Sequence, residues 1–116
     1  MLVLCYNKCT TCKKALQHLQ ELGVSFTVRD IKEDKPSLEE LRVWHKLSGL
    51  PLKRFFNTSG QLYKTLALKD KLPAMSEEQQ LELLASDGML VKRPLVVTAD
   101  FVLAGFKPQE WAEKGL

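Results

Sequence analysis

Two cysteines separated by two residues, in Cys9-Thr10-Thr11-Cys12, are the side chains best suited to chemistry in this chain. With that spacing the second sulfur can fall about one helical turn from the first, within reach of a disulfide. The chemistry is two-electron exchange. Cys9 attacks a sulfur or another electrophile, a mixed intermediate forms, and Cys12 releases it as an internal disulfide that a separate reductant must reopen. Cys9 is the better placed nucleophile because a helix is expected to start here. A cysteine at a helix N-terminus faces unpaired backbone N–H groups and the positive end of the helix dipole, both of which favour thiolate over thiol. Lys8, Lys13 and Lys14 add positive charge nearby, which water and salt screen.

Other readings of the same residue types weigh less. A pair of cysteines can be half of a tetrahedral zinc site, but only Cys5, His18 and His45 remain as partners, none in a second paired spacing. Two inert, buried thiols fit poorly with a polar loop beside three lysines. Cys5 lies inside an apolar run and reads as a small core residue. His18 and His45 read as surface or packing residues. Lys92-Arg93-Pro94 has two readings. If Arg93-Pro94 is cis, the loop can bring backbone groups and the Arg93 guanidinium beside the cysteines; otherwise Arg93 is an ordinary exposed cation and Pro94 a trans strand opener, the reading these three residues favour by themselves.

The elements that must position the pair can be read from periodicity. Leu2 to Tyr6 is a short apolar run that suits a buried strand, and it ends at polar Asn7-Lys8. From Thr10, Ala15, Leu16, Leu19 and Leu22 recur at helical spacing, and Gly23 supplies a left-handed stop. Val24 to about Arg29-Asp30 alternates and marks a second strand, parallel to the first through a right-handed crossover. Ser37 and Glu40 have capping-box spacing before a helix ending near Gly49, and Ser76 with Gln79 repeats the signature. Between them, after the turn Asn57-Thr58-Ser59-Gly60, Leu62, Leu66 and Leu68 suggest one short helix. Leu95-Val96-Val97 and Phe101-Val102-Leu103 form a hairpin around Thr98-Ala99-Asp100, and Pro108 opens a terminal helix. The order is βαβ, a helical insert, ββα, an α/β class with a mixed sheet. One domain is expected over residues 1–116, with the insert at about 35–88.

Composition agrees with a packed domain. The chain has 116 residues, 45% hydrophobic and 27% charged, enough for one core and too few for two. Its 17 Lys and Arg against 14 Asp and Glu give +3, spread without the dense basic stripe that nucleic-acid binding needs, so no direct nucleic-acid partner is expected. No apolar run approaches a membrane span, and no leader signature stands at Met1-Leu2-Val3-Leu4-Cys5-Tyr6, so the expected location is cytoplasmic.

Tyr6-Asn7-Lys8-Cys9-Thr10-Thr11-Cys12-Lys13-Lys14-Ala15, the turn Phe56-Asn57-Thr58-Ser59-Gly60, the run Leu90-Val91-Lys92-Arg93-Pro94-Leu95-Val96-Val97 and Gly105-Phe106-Lys107-Pro108 together resemble the bacterial arsenate reductase (ArsC)/Spx family. The resemblance spans nearly the whole chain. It implies a thioredoxin-like fold, with Pro94 as the cis proline facing the active site, Cys9 as the catalytic cysteine and Arg93 as an oxyanion-binding arginine. Lys107 stands where a late arginine would be, no arginine matches near Asn57-Thr58-Ser59, and Cys12 adds a second thiol. A lysine cannot reproduce a bidentate guanidinium contact, so a general thiol reductase fits this pattern better than arsenate reduction.

The expected function is therefore an ArsC-like thiol–disulfide oxidoreductase with no bound cofactor and glutathione or thioredoxin as external reductant. Cys9, Cys12 and Arg93 are the expected catalytic residues, and Lys8, Thr10, Thr11, Pro94 and Lys107 the expected substrate contacts. Expected partners are a thiol or disulfide substrate or a small oxyanion, and thioredoxin or glutaredoxin, with no membrane. The alternative is an Spx-like redox-sensing regulator that binds the RNA polymerase α subunit.

Overall fold

Alternation along the first strand decides which residues meet which helices. In the computed structural model, which describes all 116 residues, β1 (Leu2–Cys5) is followed by α1 (Thr10–Leu22) and β2 (Thr27–Asp30). Then come α2 (Leu38–Ser48), α3 (Gln61–Thr65), α4 (Leu68–Lys71) and α5 (Glu77–Ser86), with a 3-10 turn after each of α2, α4 and α5. The chain closes with β3 (Leu95–Val97), β4 (Val102–Ala104) and α6 (Pro108–Glu113). The four strands form one mixed sheet in the order β2-β1-β3-β4. β1 runs parallel to β2 and antiparallel to β3, and β3 to β4 is the antiparallel hairpin. This is the βαβ, insert, ββα order expected.

Successive side chains of a strand point to opposite faces, and each face here has its own apolar layer. Leu4, Leu95, Val102 and Ala104 face the insert, packing with Leu41 and Trp44 of α2 and Leu81 and Leu84 of α5. Val3, Cys5, Val96 and Leu103 face the other way, against Cys12, Ala15 and Leu19 of α1 and Trp111 of α6. Burying a leucine or valine side chain on either face contributes about 1.5–3 kcal/mol, so both layers hold the sheet between them.

The ends of the helices follow local chemistry. Gly23 and Gly49 adopt φ of 71° and 66° and stop α1 and α2, and capping boxes at Ser37/Glu40 and Ser76/Gln79 open α2 and α5. Several boundaries differ from the sequence expectation, β4 among them, which runs over Val102–Ala104 and not Phe101–Leu103. β1 ends at Cys5 because Tyr6 turns out of line and its carbonyl accepts the Cys9 N–H at 3.0 Å. β2 begins at Thr27, where pairing with Leu2 starts; Val28 lies on this edge strand with half its surface in solvent. The single helix expected over Leu62–Leu68 is two, α3 and α4, parted by Ala67 in a left-handed conformation at φ 53°.

Candidate active site

Cys9 is the residue that precedes α1, in extended conformation at φ −90° and ψ 118°. Its N–H returns to Tyr6 and its carbonyl accepts the Lys13 N–H at 3.1 Å. This tight return sets the half-buried Cys9 beside the end of β1, at the wall of a cavity of about 340 Å³. Thr11, Asn57, Ser59 and Gly60 line one part of the cavity, and Lys92, Arg93, Gly105, Phe106 and Lys107 the rest. No carboxylate lines it, so an anion would meet three cations beside a sulfur.

The walls are tied back to the fold. The Arg93-Pro94 peptide is cis, as the resemblance implied. The Pro94 carbonyl accepts the Gly105 N–H at 2.9 Å, and the indole Nε1 of Trp111 donates to the Gly105 carbonyl at 3.0 Å. Gly105 has φ 82°, and a Cβ there would stand 2.9 Å from Cε of Lys92, so the glycine both makes the turn and leaves room for the lysine stem. On the opposite side Lys92 N–H donates to the Phe55 carbonyl at 2.7 Å and Asn57 N–H to the Leu90 carbonyl at 2.8 Å. These two bonds bring the Asn57–Gly60 turn against the Lys92-Arg93 segment.

Arg93 is positioned by an aromatic face and a carbonyl. Its guanidinium carbon stands 5.3 Å from the centroid of the Tyr6 ring, and Nη1 donates to the Met89 carbonyl at 3.4 Å. Its Nε is buried and has no hydrogen-bond partner.

Cys12 occupies the third position of α1 and is 1% exposed, behind Cys9 and under the sheet. All three cysteines are free thiols. Cys5 is buried in the same apolar cluster, and its thiol is the first of the influences that lower the Cys12 thiol to about 7. Burial opposes this; the Tyr6 backbone, the Cys9 side chain and the Arg93 charge reinforce it. The Cys5 thiol moves strongly upward, first through its bond to Cys12 and then through burial. A thiol enclosed to this degree cannot meet a bulky substrate directly and can react only with what is attached to its neighbour.

Of the residues expected from the sequence, the structure brings Cys9, Thr11, Arg93 and Lys107 together around the cavity, with Cys12 directly behind. It does not bring Lys8, Thr10 or Pro94 to the cavity wall. Lys8 and Thr10 point to solvent because the turn from Tyr6 to Cys9 and the first turn of α1 face outward there, and Pro94 is buried, acting through Gly105. Lys92, Asn57 and Ser59 are additions; Lys92 stood next to Arg93, and Asn57 and Ser59 in the turn already noted. Cys5 is a core residue as expected, in the same buried cluster as Cys12. No arginine reaches the Asn57 turn: Arg54, the nearest in sequence, donates to both Glu110 carboxylate oxygens at 2.9 and 3.2 Å and to the Ala104 carbonyl at 3.3 Å.

The sheet order, the helical insert and the cysteine at the start of α1 define an ArsC-type thioredoxin-like protein, and comparison with known proteins agrees. The ArsC family model matches residues 4–114. YusI of Bacillus subtilis (strain 168), an uncharacterized protein, is 53% identical over 108 residues, covering 93% of this chain and 92% of its own. The crystal structure of a Bacteroides fragilis protein related to the ArsC family superposes with a TM-score of 0.94 at 57% identity, covering 97% and 94% of the two chains. The regulatory protein MgsR of B. subtilis (strain 168) is 29% identical over 105 residues, covering 90% and 82%. The chain belongs to the ArsC family. Both Spx-type regulators and an arsenate reductase are among its relatives.

Proposed function

We propose that this protein is a thiol–disulfide oxidoreductase in which Cys9 is the attacking sulfur and Cys12 the resolving one. The observation that carries this reading is the division of exposure within the pair: Cys9 borders an open, cationic cavity while Cys12, three residues on, is sealed behind it. In the first half-reaction the Cys9 thiolate attacks one sulfur of a disulfide, a Cys9–substrate bond forms, and the other sulfur leaves as a thiolate. The Cys12 thiolate then attacks Sγ of Cys9, closing Cys9–Cys12 and expelling the second substrate thiolate. Two electrons from an external thiol reductant, glutathione or thioredoxin, with or without glutaredoxin, reopen the pair. Lys92, Arg93 and Lys107 favour substrates carrying negative charge close to the sulfur, and Arg93 also stabilises the leaving thiolate. A cytoplasmic setting, where such reductants are abundant, suits this cycle.

The test is turnover of a small disulfide bearing carboxylates, coupled separately to glutathione and to thioredoxin. Turnover should require Cys9 and fall steeply in Cys12→Ser; activity retained in Cys9→Ser would end the proposal. The relatives that are regulators favour a second reading, in which the same pair is an oxidative switch on a protein that binds the RNA polymerase α subunit. Redox-dependent co-purification with that subunit, without disulfide turnover, would select it. Arsenate reduction predicts arsenate-dependent consumption of reductant that needs both Cys9 and Arg93.

A further inference from the structure

Beyond the thiol cavity the surface continues as a track of cations. We propose that the disulfide substrate is carried on an extended, acidic polypeptide segment, whose cysteine enters the Cys9 cavity while its acidic side chains lie along Lys92 and Lys107 and then Lys53. The proposal rests on the reading of Cys9 as the attacking sulfur and names the class of substrate that it attacks.

The track is built from cavities that share lysines. Lys92 and Lys107 line both the Cys9 cavity and a second one of about 370 Å³, which also takes in Lys53, Arg54 and Thr58. Lys53 in turn borders a third, of about 190 Å³, that Lys69 also lines. No carboxylate lines any of the three, although the chain has 14 acidic residues. Elsewhere the cavities do hold acids: Asp100, Glu110 and Glu113 line one beside β4 and α6, and Glu77 and Glu78 one between α2 and α5. Glu110 is bound through both oxygens to Arg54, at 2.9 and 3.2 Å, which neutralises that arginine. Lys53, Lys92 and Lys107 take part in no ion pair, so their charge is open to a ligand.

Dimensions and lining point to a peptide. The first two cavities, of about 340 and 370 Å³, are each roughly 7 Å across, about the rise of two residues of extended chain. Alternate side chains of such a chain point the same way, so a cysteine at Cys9 faces the track with the residues two and four positions away. A small disulfide fills only the first cavity and leaves Lys53 without a counter-charge. Nucleic acid fits less well, because the aromatic residues of the two outer cavities, Phe56 and Tyr63, are 1% and 7% exposed and offer no face for a base. In the reaction, the Cys9 thiolate bonds to the peptide's sulfur and the sulfur formerly joined to it leaves as a thiolate. Attack by Cys12 on Cys9 then returns the peptide as a thiolate. The acidic side chains hold the peptide and take no part in the exchange.

The experiment uses peptides whose cysteine is a mixed disulfide with cysteamine, with Asp or Asn at the second and fourth positions from it. Each also has a redox-inert form with serine for cysteine, whose binding is read by fluorescence anisotropy. The proteins are wild type, Lys53→Gln and Lys53→Arg. With each exposed pair contributing about twofold to threefold, the Asp peptide should exceed the Asn peptide about fourfold to tenfold in affinity and in 1/KM, and salt should narrow the gap. In Lys53→Gln the gain from the fourth-position acid should vanish while that from the second remains, and Lys53→Arg should keep both. Equal binding of the Asp and Asn peptides, or a fourth-position gain that survives Lys53→Gln, would overturn the proposal. Tighter binding of a single-stranded oligonucleotide than of the Asp peptide would overturn it too. Failure of the parent reading shows differently, as no adduct on Cys9 from either peptide disulfide, whatever the serine forms bind.

Discussion

The guanidinium of Arg93 lies over the ring of Tyr6, 5.3 Å from its centroid, and this contact joins the segment before β3 to the residue that leaves β1. A cation over an aromatic face contributes about 0.5–2 kcal/mol, depending on desolvation. Here it holds a positive charge where that charge lowers both Cys5 and Cys12. Arg93→Gln should therefore raise the pH at which Cys12 ionises, from about 7, by a fraction of a pH unit, and slow the resolving step at neutral pH by about twofold at most. The pH profile of mixed-disulfide release checks this. Tyr6→Leu, which frees the guanidinium without removing its charge, should have a smaller effect in the same direction.

Lys92 and Lys107 stand on the wall of the thiol cavity and of a neighbouring one that also contains Lys53 and Arg54. As exposed or half-exposed cations they should act by attraction at a distance, which salt screens. Lys92→Gln and Lys107→Gln are expected to raise KM for a carboxylate-bearing disulfide about twofold to tenfold, with little change for a neutral one. Raising the ionic strength should reduce the difference between substrates in wild type and erase it in the double variant.

Gly105 combines a left-handed backbone with a close approach to the Lys92 stem. Gly105→Ala should cost about 1–2 kcal/mol in denaturant unfolding, from the strain of an alanine at that φ and the displacement of Lys92. The same substitution at Gly23, which has open space around it, should cost only the backbone part. A smaller loss at Gly105 than at Gly23 would contradict the close approach.

Glu40 ties the insert to β2. Arg29 donates to its two oxygens at 2.7 and 2.9 Å, and the Ser37 N–H donates to it at 3.0 Å, so its carboxyl is lowered to about 2, chiefly by Arg29. The folded value lies below the unfolded one, so the stabilisation is complete above about pH 4.5 and disappears as the pH falls through about 2. Glu40→Gln should be less stable by about 1 kcal/mol at neutral pH, a figure reduced for screening because a third of the side chain is open to water. The gap between variant and wild type should close on acidification.

Much of this arrangement is legible in local patterns. The 3.6-residue recurrence from Ala15 to Leu22, the stops at Gly23 and Gly49 and the boxes at Ser37/Glu40 and Ser76/Gln79 all become the elements they suggest. They are local because each depends on residues within one or two turns. The start of β2 is different: Val24 and Phe26 carry strand-like alternation but have no partner, since pairing begins only where Leu2 meets Thr27. Ala67 gives no local hint of the left-handed turn that splits α3 from α4. The cavity is mostly a product of long-range contacts. Cys9 and Cys12 could be placed from spacing alone, but Asn57 and Ser59 reach them only through the bonds of Asn57 to Leu90 and Lys92 to Phe55. Strand alternation puts Cys5 on one face of β1; that α1 covers that face at its first turn is a fact of packing.

The division of labour between an open and a sealed sulfur is tested most directly by trapping. Reduced Cys12→Ser protein is exposed to a small carboxylate-bearing disulfide, and the adduct is located by mass spectrometry of peptides. The account predicts one stable adduct, on Cys9, that wild type releases within the same interval as it forms Cys9–Cys12. An adduct on Cys5, or none on Cys9 while the fold is intact, would contradict it.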